Sequence, residues 1–337
     1  MPLLGAIFAL SNSHPSRICG ASPVNLEKSL RSFRLNPHLY VFTGVFLIRL
    51  TVLARLTTSP FLLPFRGDMH FYNEWARHIL SGQLTDDHAF YGLPGYAYLL
   101  AALYRLCGYN PFVPGLLQAI LDAGTAVLVY KISIRVFGGV STSVARIAGV
   151  VAAMGWAFFV PAQTYAVILM PTALVVFVFW LVVWWIVREE AAPGKACAVM
   201  LGLLIGITAT TIATILFLLP LVVGAVLIKR ANTDHRIRAR IASLTLILTG
   251  VLSGTAPCWV HNYFVAHDPV FLSAHSGINF WIGNNPRATG YPRFPPGLRA
   301  SQAAMLQDSI TAAESAAGHR LTRGEVSQFW SAKTRNY

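Results

Sequence analysis

Charge is what this sequence has least of. Asp, Glu, Lys and Arg make up only 12% of its 337 residues, against about 25% in a typical soluble domain. With 55% of the residues hydrophobic, one water-soluble core cannot cover the apolar surface, which excludes the soluble globular classes. Cysteine is scarce as well. Cys19, Cys107, Cys197 and Cys258 lie far apart with no Cys-x-x-Cys pair, which argues against a disulfide framework and against a zinc site. The apolar start Met1–Leu10 has no leading charge and no small-residue cleavage pattern, so a cleaved signal peptide is not expected. No repeat of fixed period stands out.

What the chain has instead is long apolar runs, with a mean hydropathy of +0.56. Several approach the roughly 20 residues needed to cross a bilayer, and the expected class is an all-α polytopic membrane protein. Lys and Arg number 26 against 13 Asp and Glu, a net charge of +13. The basic residues cluster between apolar segments, as the positive-inside rule and attraction to anionic lipid require. Aromatic–basic interleaving and nucleic-acid motifs are missing, so nucleic acid is not an expected partner.

The charge pattern predicts a cytoplasmic tail over 1–37 and a bundle of about seven spans over 38–260, N-terminus inside. The predicted spans are His38–Thr57, Phe112–Tyr130, Ile147–Gln163, Leu169–Val187, a hairpin of two short helices within 198–227 broken near Thr208–Thr214, and Ile241–Trp259. Residues 58–110 form a long outer loop and residues 261–337 lie outside. Arg49 and Arg55 interrupt the first span, where an arginine either snorkels to the interface or meets an anionic head group. Asp122 lies inside the second span, one turn after Gln118, and at that depth a carboxylate demands a polar cavity or a partner.

The outer loop opens with Arg66-Gly67-Asp68-Met69-His70-Phe71-Tyr72-Asn73-Glu74-Trp75-Ala76. Asp68 can N-cap a helix over Met69–Ser81 that Gly82 ends. Phe71, Trp75 and His78 along one side suit a helix lying on a membrane surface. His70, Glu74 and His78 are spaced i, i+4, i+8; they are candidate ligands for a divalent ion, or a solvated face with helix-stabilising pairs. No other cofactor is suggested. The helix ending near Leu106 is short for a span and reads as re-entrant or interfacial.

Several stretches carry a family resemblance: Asp68-x-x-x-Tyr72-x-x-Trp75-Ala76, Phe90-Tyr91-x-x-Pro94-x-Tyr96, a Gln118-containing span ending Tyr130-Lys131-x-x-x-Arg135-x-Phe137-Gly138, Pro257-x-Trp259-x-x-Asn262-Tyr263, and Gly277-Ile278-Asn279-Phe280-x-Ile282-Gly283-Asn284-Asn285-Pro286. From about residue 38 to the end the chain resembles the bacterial membrane glycosyltransferases of the GT-C type, relatives of the dolichyl-phosphate-mannose–protein mannosyltransferases. The resemblance implies a polyprenyl-phosphate sugar donor, a lipid, glycan or protein acceptor, and transfer on the outer face of the cytoplasmic membrane. It implies Asp68 as the catalytic base. The candidate substrate contacts are Arg49, Tyr72, Glu74, Tyr91, Asp122, His261, Asn284, Asn285 and Arg287. Arg293 and Arg299 follow Arg287 at six-residue intervals and share its suitability for phosphate.

The chain departs from the family where relatives carry Arg-Pro and this sequence reads Ile212-Ala213, and where His261 replaces an arginine. It also stops at Tyr337, where relatives continue. The alternative expectations are therefore an inactive fragment, or a non-enzymatic transporter or assembly partner of a polysaccharide system. A transporter should show paired broken helices in two related halves, and only one broken hairpin is present. A reporter that fluoresces only in the cytoplasm is expected to be active when fused after Asn232 and dark when fused after Ala300. The reverse pattern would overturn the predicted orientation.

Overall fold

The computed structural model describes residues 36–63, 65, 67–229, 236–291, 294–299 and 301–337. The expected tail up to residue 35, Arg66 and Arg293 lie outside the described residues. Those described are helical, with no β-strand among them. In chain order the α-helices are α1 (Pro37–Leu56), α2 (Gly67–Leu80), α3 (Gly95–Cys107), α4 (Phe112–Phe137), α5 (Thr142–Phe158), α6 (Val160–Tyr165), α7 (Thr172–Arg188), α8 (Lys195–Ala209), α9 (Leu219–Ile228), α10 (Arg236–Val260), α11 (Ser276–Asn284), α12 (Gln302–Ala317) and α13 (Arg323–Arg335). A 3-10 segment, Ala213–Leu218, leads into α9, and a π-turn, His261–Val265, prolongs α10.

Among the described residues three helical stretches are long and apolar enough to cross a membrane: Pro37–Leu56, Phe112–Phe137 and Ile237–Val265. Four shorter apolar ones are Thr142–Phe158, Thr172–Arg188, Lys195–Ala209 and Ala213–Ile228. The break expected near Thr208–Thr214 is present between α8 and the 3-10 segment. Several ends differ from expectation: α5 begins at Thr142 and α10 at Arg236, each five residues ahead of the expected start. α4 continues past Tyr130 to Phe137 because nothing breaks the helix before Gly138, so Lys131 and Arg135 ride on its last turns. α5 stops at Phe158: Phe159 is extended, and Pro161 has no N–H to continue the helix onto the Ala157 carbonyl. The cap signals are local: Pro37 opens α1 with Asn36 accepting from the His38 N–H, and Ser141 accepts from Val144 N–H ahead of α5.

Two devices hold the bundle. Gly202 and Gly206 on α8 face Gly250 and Gly254 on α10, each pair four residues apart. A methyl group at Gly202 or Gly206 would run into the carbonyls of Ile247 and Val251. Small residues at this spacing let two backbones touch, which is the usual way apolar helices associate.

The second device joins α1, α4 and α5. Arg49 is fully buried. Its Nε donates to Asp122 Oδ2 at 2.7 Å, its Nη1 to the Ala157 carbonyl at 2.7 Å and its Nη2 to the Trp156 carbonyl at 3.1 Å. Trp156 Nε1 completes the set by donating to Asp122 Oδ1 at 3.1 Å. The sequence-based placement of Arg49 at a head group or snorkelling to the interface is corrected. Arg49 turns inward because Asp122 would otherwise be a lone charge between packed helices.

The outer elements form two small cores. α2 lays Ala76 and Ile79 against Tyr96, Ala97, Leu100 and Tyr104 of α3. At 13 residues, α3 is about 20 Å long. Its start docks where Gly95 donates to the Thr210 carbonyl at 2.9 Å, with no room for a side chain. The second core packs Ile278 of α11, Met305 and Ala313 of α12, and Val326 and Trp330 of α13 around Tyr91. Gly277 crosses directly over Ser327 and donates to its Oγ at 3.0 Å.

Arg49→Met leaves Asp122 buried and unpaired and is expected to cost about 3–5 kcal/mol, whereas Arg49→Met with Asp122→Leu should recover most of that. Thermal unfolding in detergent checks it; equal destabilisation by the single and double variants would refute the pairing.

Candidate functional site

α2 has two faces. Met69, Tyr72, Ala76 and Ile79 turn toward α3. Gly67, His70, Phe71, Glu74, Trp75 and His78 follow the i, i+3, i+4 rule down the other side and line a cavity of about 1210 Å³. The floor is the segment from Gln83 to Gly92, and the far wall is Arg299, Ser301, Gln302 and Leu306 with Arg323. Gly92 lies flat on the Phe71 and Trp75 rings, where a side chain would press on Phe71. The face predicted to lie on a membrane surface therefore forms one wall of this cavity.

Asp68 stands at the edge, exposed, between the lining residues Gly67 and His70. The helix begins at Gly67, so Asp68 sits within the first turn and is not the N-cap; Gly67 at φ +81° turns the chain into the helix two residues earlier than expected. Gly82 at φ +98° follows its end as anticipated. Asp68 Oδ1 accepts from Gln302 Nε2 at 2.8 Å.

The loop forming the floor is tied from behind. Asn262, fully buried, accepts from the Phe90 N–H at 2.9 Å and donates to the Val270 carbonyl at 2.8 Å. His261 Nε2 meets the His88 carbonyl at 3.0 Å and its ring lies 4.3 Å from Phe90. From the cavity side, Arg323 donates to the Ala89 carbonyl at 2.7 Å and to Asp86 Oδ2 at 3.1 Å. Tyr91 is buried, and its hydroxyl and the Arg323 Nε have no hydrogen-bond partner among the described residues. Burial pushes the Tyr91 phenol far up, partly offset by the charge of Arg323.

The charged groups of the lining are largely committed. Glu74 accepts from Arg77 at 3.0 and 3.2 Å; burial raises its carboxyl, but the Arg77 bond and charge outweigh that and hold it below the ordinary value. Arg299 clamps Asp308 at 2.7 Å, and its bonds pull the Asp308 carboxyl down. His70, Glu74 and His78 share the wall, with Glu74 taken by Arg77. Among the described residues no three His, Cys, Asp or Glu side chains converge as a metal set.

Of the predicted contacts, the fold gathers His70, Glu74, His78 and Tyr91 at the cavity, with Asp68 at its edge. Several others lie elsewhere and do not line it. Arg49 and Asp122 are consumed by each other inside the bundle. Tyr72 faces α3, its ring 5.2 Å from Tyr96, and burial and then the Asp68 charge push its phenol up to about 12. His261 sits behind the floor loop. Asn284 donates to the Phe280 carbonyl at 2.9 Å, while buried Asn285 donates to Trp281 and Ile282 and accepts from the Arg287 N–H at 2.9 Å. These two asparagines close a helix end, and Arg287 is exposed beyond it. Gln302 and Arg323 were not foreseen. Thr322-x-x-Glu325 is a readable capping box that marks the start of α13, but nothing local aims Arg323 at Asp86. No protein-family model matches the chain, and no curated protein matches it.

His275 packs beside Tyr91, and Ser273 Oγ meets its Nδ1 at 2.9 Å. Burial lowers the imidazole below its ordinary 6.5, against the opposing pull of the Tyr91 backbone and the Asp68 charge. With the folded value depressed, the unfolded chain takes up the proton first. Stability is full above the unfolded value and falls as pH drops through the folded one. The unfolding midpoint is expected to fall between about pH 7.5 and about pH 5, and less steeply in His275→Gln. Parallel pH curves for the two proteins would refute this assignment.

Proposed function

We propose that the chain is a polytopic membrane glycosyltransferase of GT-C type, with about seven spans and an N-terminus in the cytoplasm. It moves a sugar from a polyprenyl-phosphate donor to a lipid, glycan or protein acceptor at the outer face of the cytoplasmic membrane. The observation that carries this reading is a carboxylate, Asp68, at the edge of a 1210 Å³ cavity on the first helix after a membrane-length helix. That volume exceeds the roughly 300–1,000 Å³ of ordinary ligand sites and leaves room for a sugar together with its phosphate. The three long and four shorter apolar helices supply the seven spans.

In this reading Asp68 accepts the proton of the acceptor hydroxyl or amine as that atom attacks C1 of the sugar. The bond from C1 to the phosphate oxygen breaks with its electron pair, and polyprenyl phosphate leaves. A carboxylate within hydrogen-bond reach serves as such a base. Tyr91 and Arg323 are the donors suited to the phosphate end, because both residues line the cavity. Arg323 thus supplies, from the far end of the chain, a cation of the kind that Ile212 and His261 do not. Trp75 and Phe71 offer flat apolar surface to a sugar ring.

Asp68→Asn keeps the size and the Gln302 contact while removing the base. It is expected to abolish transfer, by about 100-fold or more, with membrane insertion and melting temperature unchanged. Full transfer by this variant would sink the assignment.

A further inference from the structure

The contact between α2 and α12 was not foreseeable from the sequence. Asp68 and Gln302 are 234 residues apart, and Gln302 Nε2 donates to Asp68 Oδ1 at 2.8 Å. Gln302 is half-buried and lines the cavity whose edge Asp68 occupies. It is also held from several sides. Ser301 caps α12 by accepting from Ala304 N–H at 3.2 Å. The segment before it is folded back by Arg299, whose backbone N–H reaches Asp308 Oδ2 at 2.8 Å and whose guanidinium grips the same carboxylate at 2.7–3.1 Å. Met305, one turn along, is buried in the core with Val326 and Trp330. The amide is therefore presented to Asp68 by a braced helix start and not by a free side chain on a loop.

We propose that Gln302 is a positioning residue for Asp68: its amide occupies Oδ1, orients the carboxylate and leaves Oδ2 to receive the acceptor's proton. This rests on the glycosyltransferase reading for its catalytic meaning, and on the geometry alone for the coupling. A neutral amide donor on Oδ1 holds the carboxylate in one orientation without adding a charge, so the base is aimed. The titratable groups that sense Asp68 are Tyr72 on α2 and His275 ahead of α11; Gln302 is the group bonded to it from α12.

The test uses the full chain in detergent, with Gln302→Glu and Gln302→Met. Carbodiimide labelling of Asp68 across pH, read by mass spectrometry, follows its protonation without requiring activity. Gln302→Glu sets a second carboxylate against Asp68 and is expected to raise the labelling midpoint by about one pH unit or more. Transfer kinetics should show kcat reduced about 10-fold in Gln302→Met with KM unchanged, the pattern of an interaction used in the transition state. An unmoved labelling midpoint in Gln302→Glu overturns the coupling, and a shifted midpoint with unchanged kcat in Gln302→Met overturns the positioning role. Absence of transfer by the unmodified chain defeats the glycosyltransferase reading, while the labelling result still decides whether Gln302 controls Asp68. Oxidative crosslinking of Asp68→Cys/Gln302→Cys in membranes confirms that α2 and α12 meet in the folded protein; failure to crosslink overturns the proposal independently of both.

Discussion

The buried pair of Arg49 and Asp122 sets the frame on which the outer elements are mounted. Two opposite charges without water attract strongly, but each loses its hydration, and the pair holds only when the remaining donors and acceptors are satisfied. Here they are: the guanidinium serves one carboxylate and two carbonyls, and Trp156 serves the second carboxylate oxygen. The directionality of these bonds fixes the rotation of α1 relative to α4 and α5, which apolar packing alone would leave loose. A neighbouring bond works the same way: Gln118 on α4 accepts from Tyr96 at 2.5 Å and donates to the Ile168 carbonyl at 2.6 Å, tying α3 to the bundle.

The cavity is assembled differently, by backbone recognition. Asn262 and His261 grip the floor loop from behind and Arg323 grips it from the front, all through carbonyls or N–H groups of residues 88–90. Asp268 accepts from the Gly324 N–H at 2.7 Å at the start of α13, joining the segment after α10 to the helix that carries Arg323. A loop held this way keeps its shape whatever its own side chains do, and Asp86, Asp87 and His88 are left exposed at the cavity. The Tyr91 hydroxyl and the Arg323 Nε are buried behind this wall with no hydrogen-bond partner among the described residues.

Much of the helical layout was legible because apolar runs and their punctuation are local. Gly82 and the break around Thr210 stand where a chain of this chemistry must stop or turn. Gly202, Gly206, Gly250 and Gly254 were equally visible as residues but not as partners. Which glycine pair faces which is decided when two helices pack, and no property of either run states it. The same limit explains the misplaced site residues. Arg49 and Asp122 looked like ligand contacts because a charge in an apolar run needs an explanation, and the explanation proved to be each other. Asn284 and Asn285 looked like sugar contacts, yet asparagines serve equally well to close a helix end.

By itself the sequence determined the helical class, the position of most helix ends, and the presence of a polar helix carrying Asp68 directly after the first long apolar one. These follow from composition and from interactions spanning a few residues, whose free energies depend little on the rest of the chain. Only the tertiary structure decided what surrounds Asp68. Gln302 and Arg323 reach the cavity from more than two hundred residues away, through packing of α12 and α13 that is written in no single segment. A base needs a neighbour at hydrogen-bond distance, and distance between remote residues is a property of the fold.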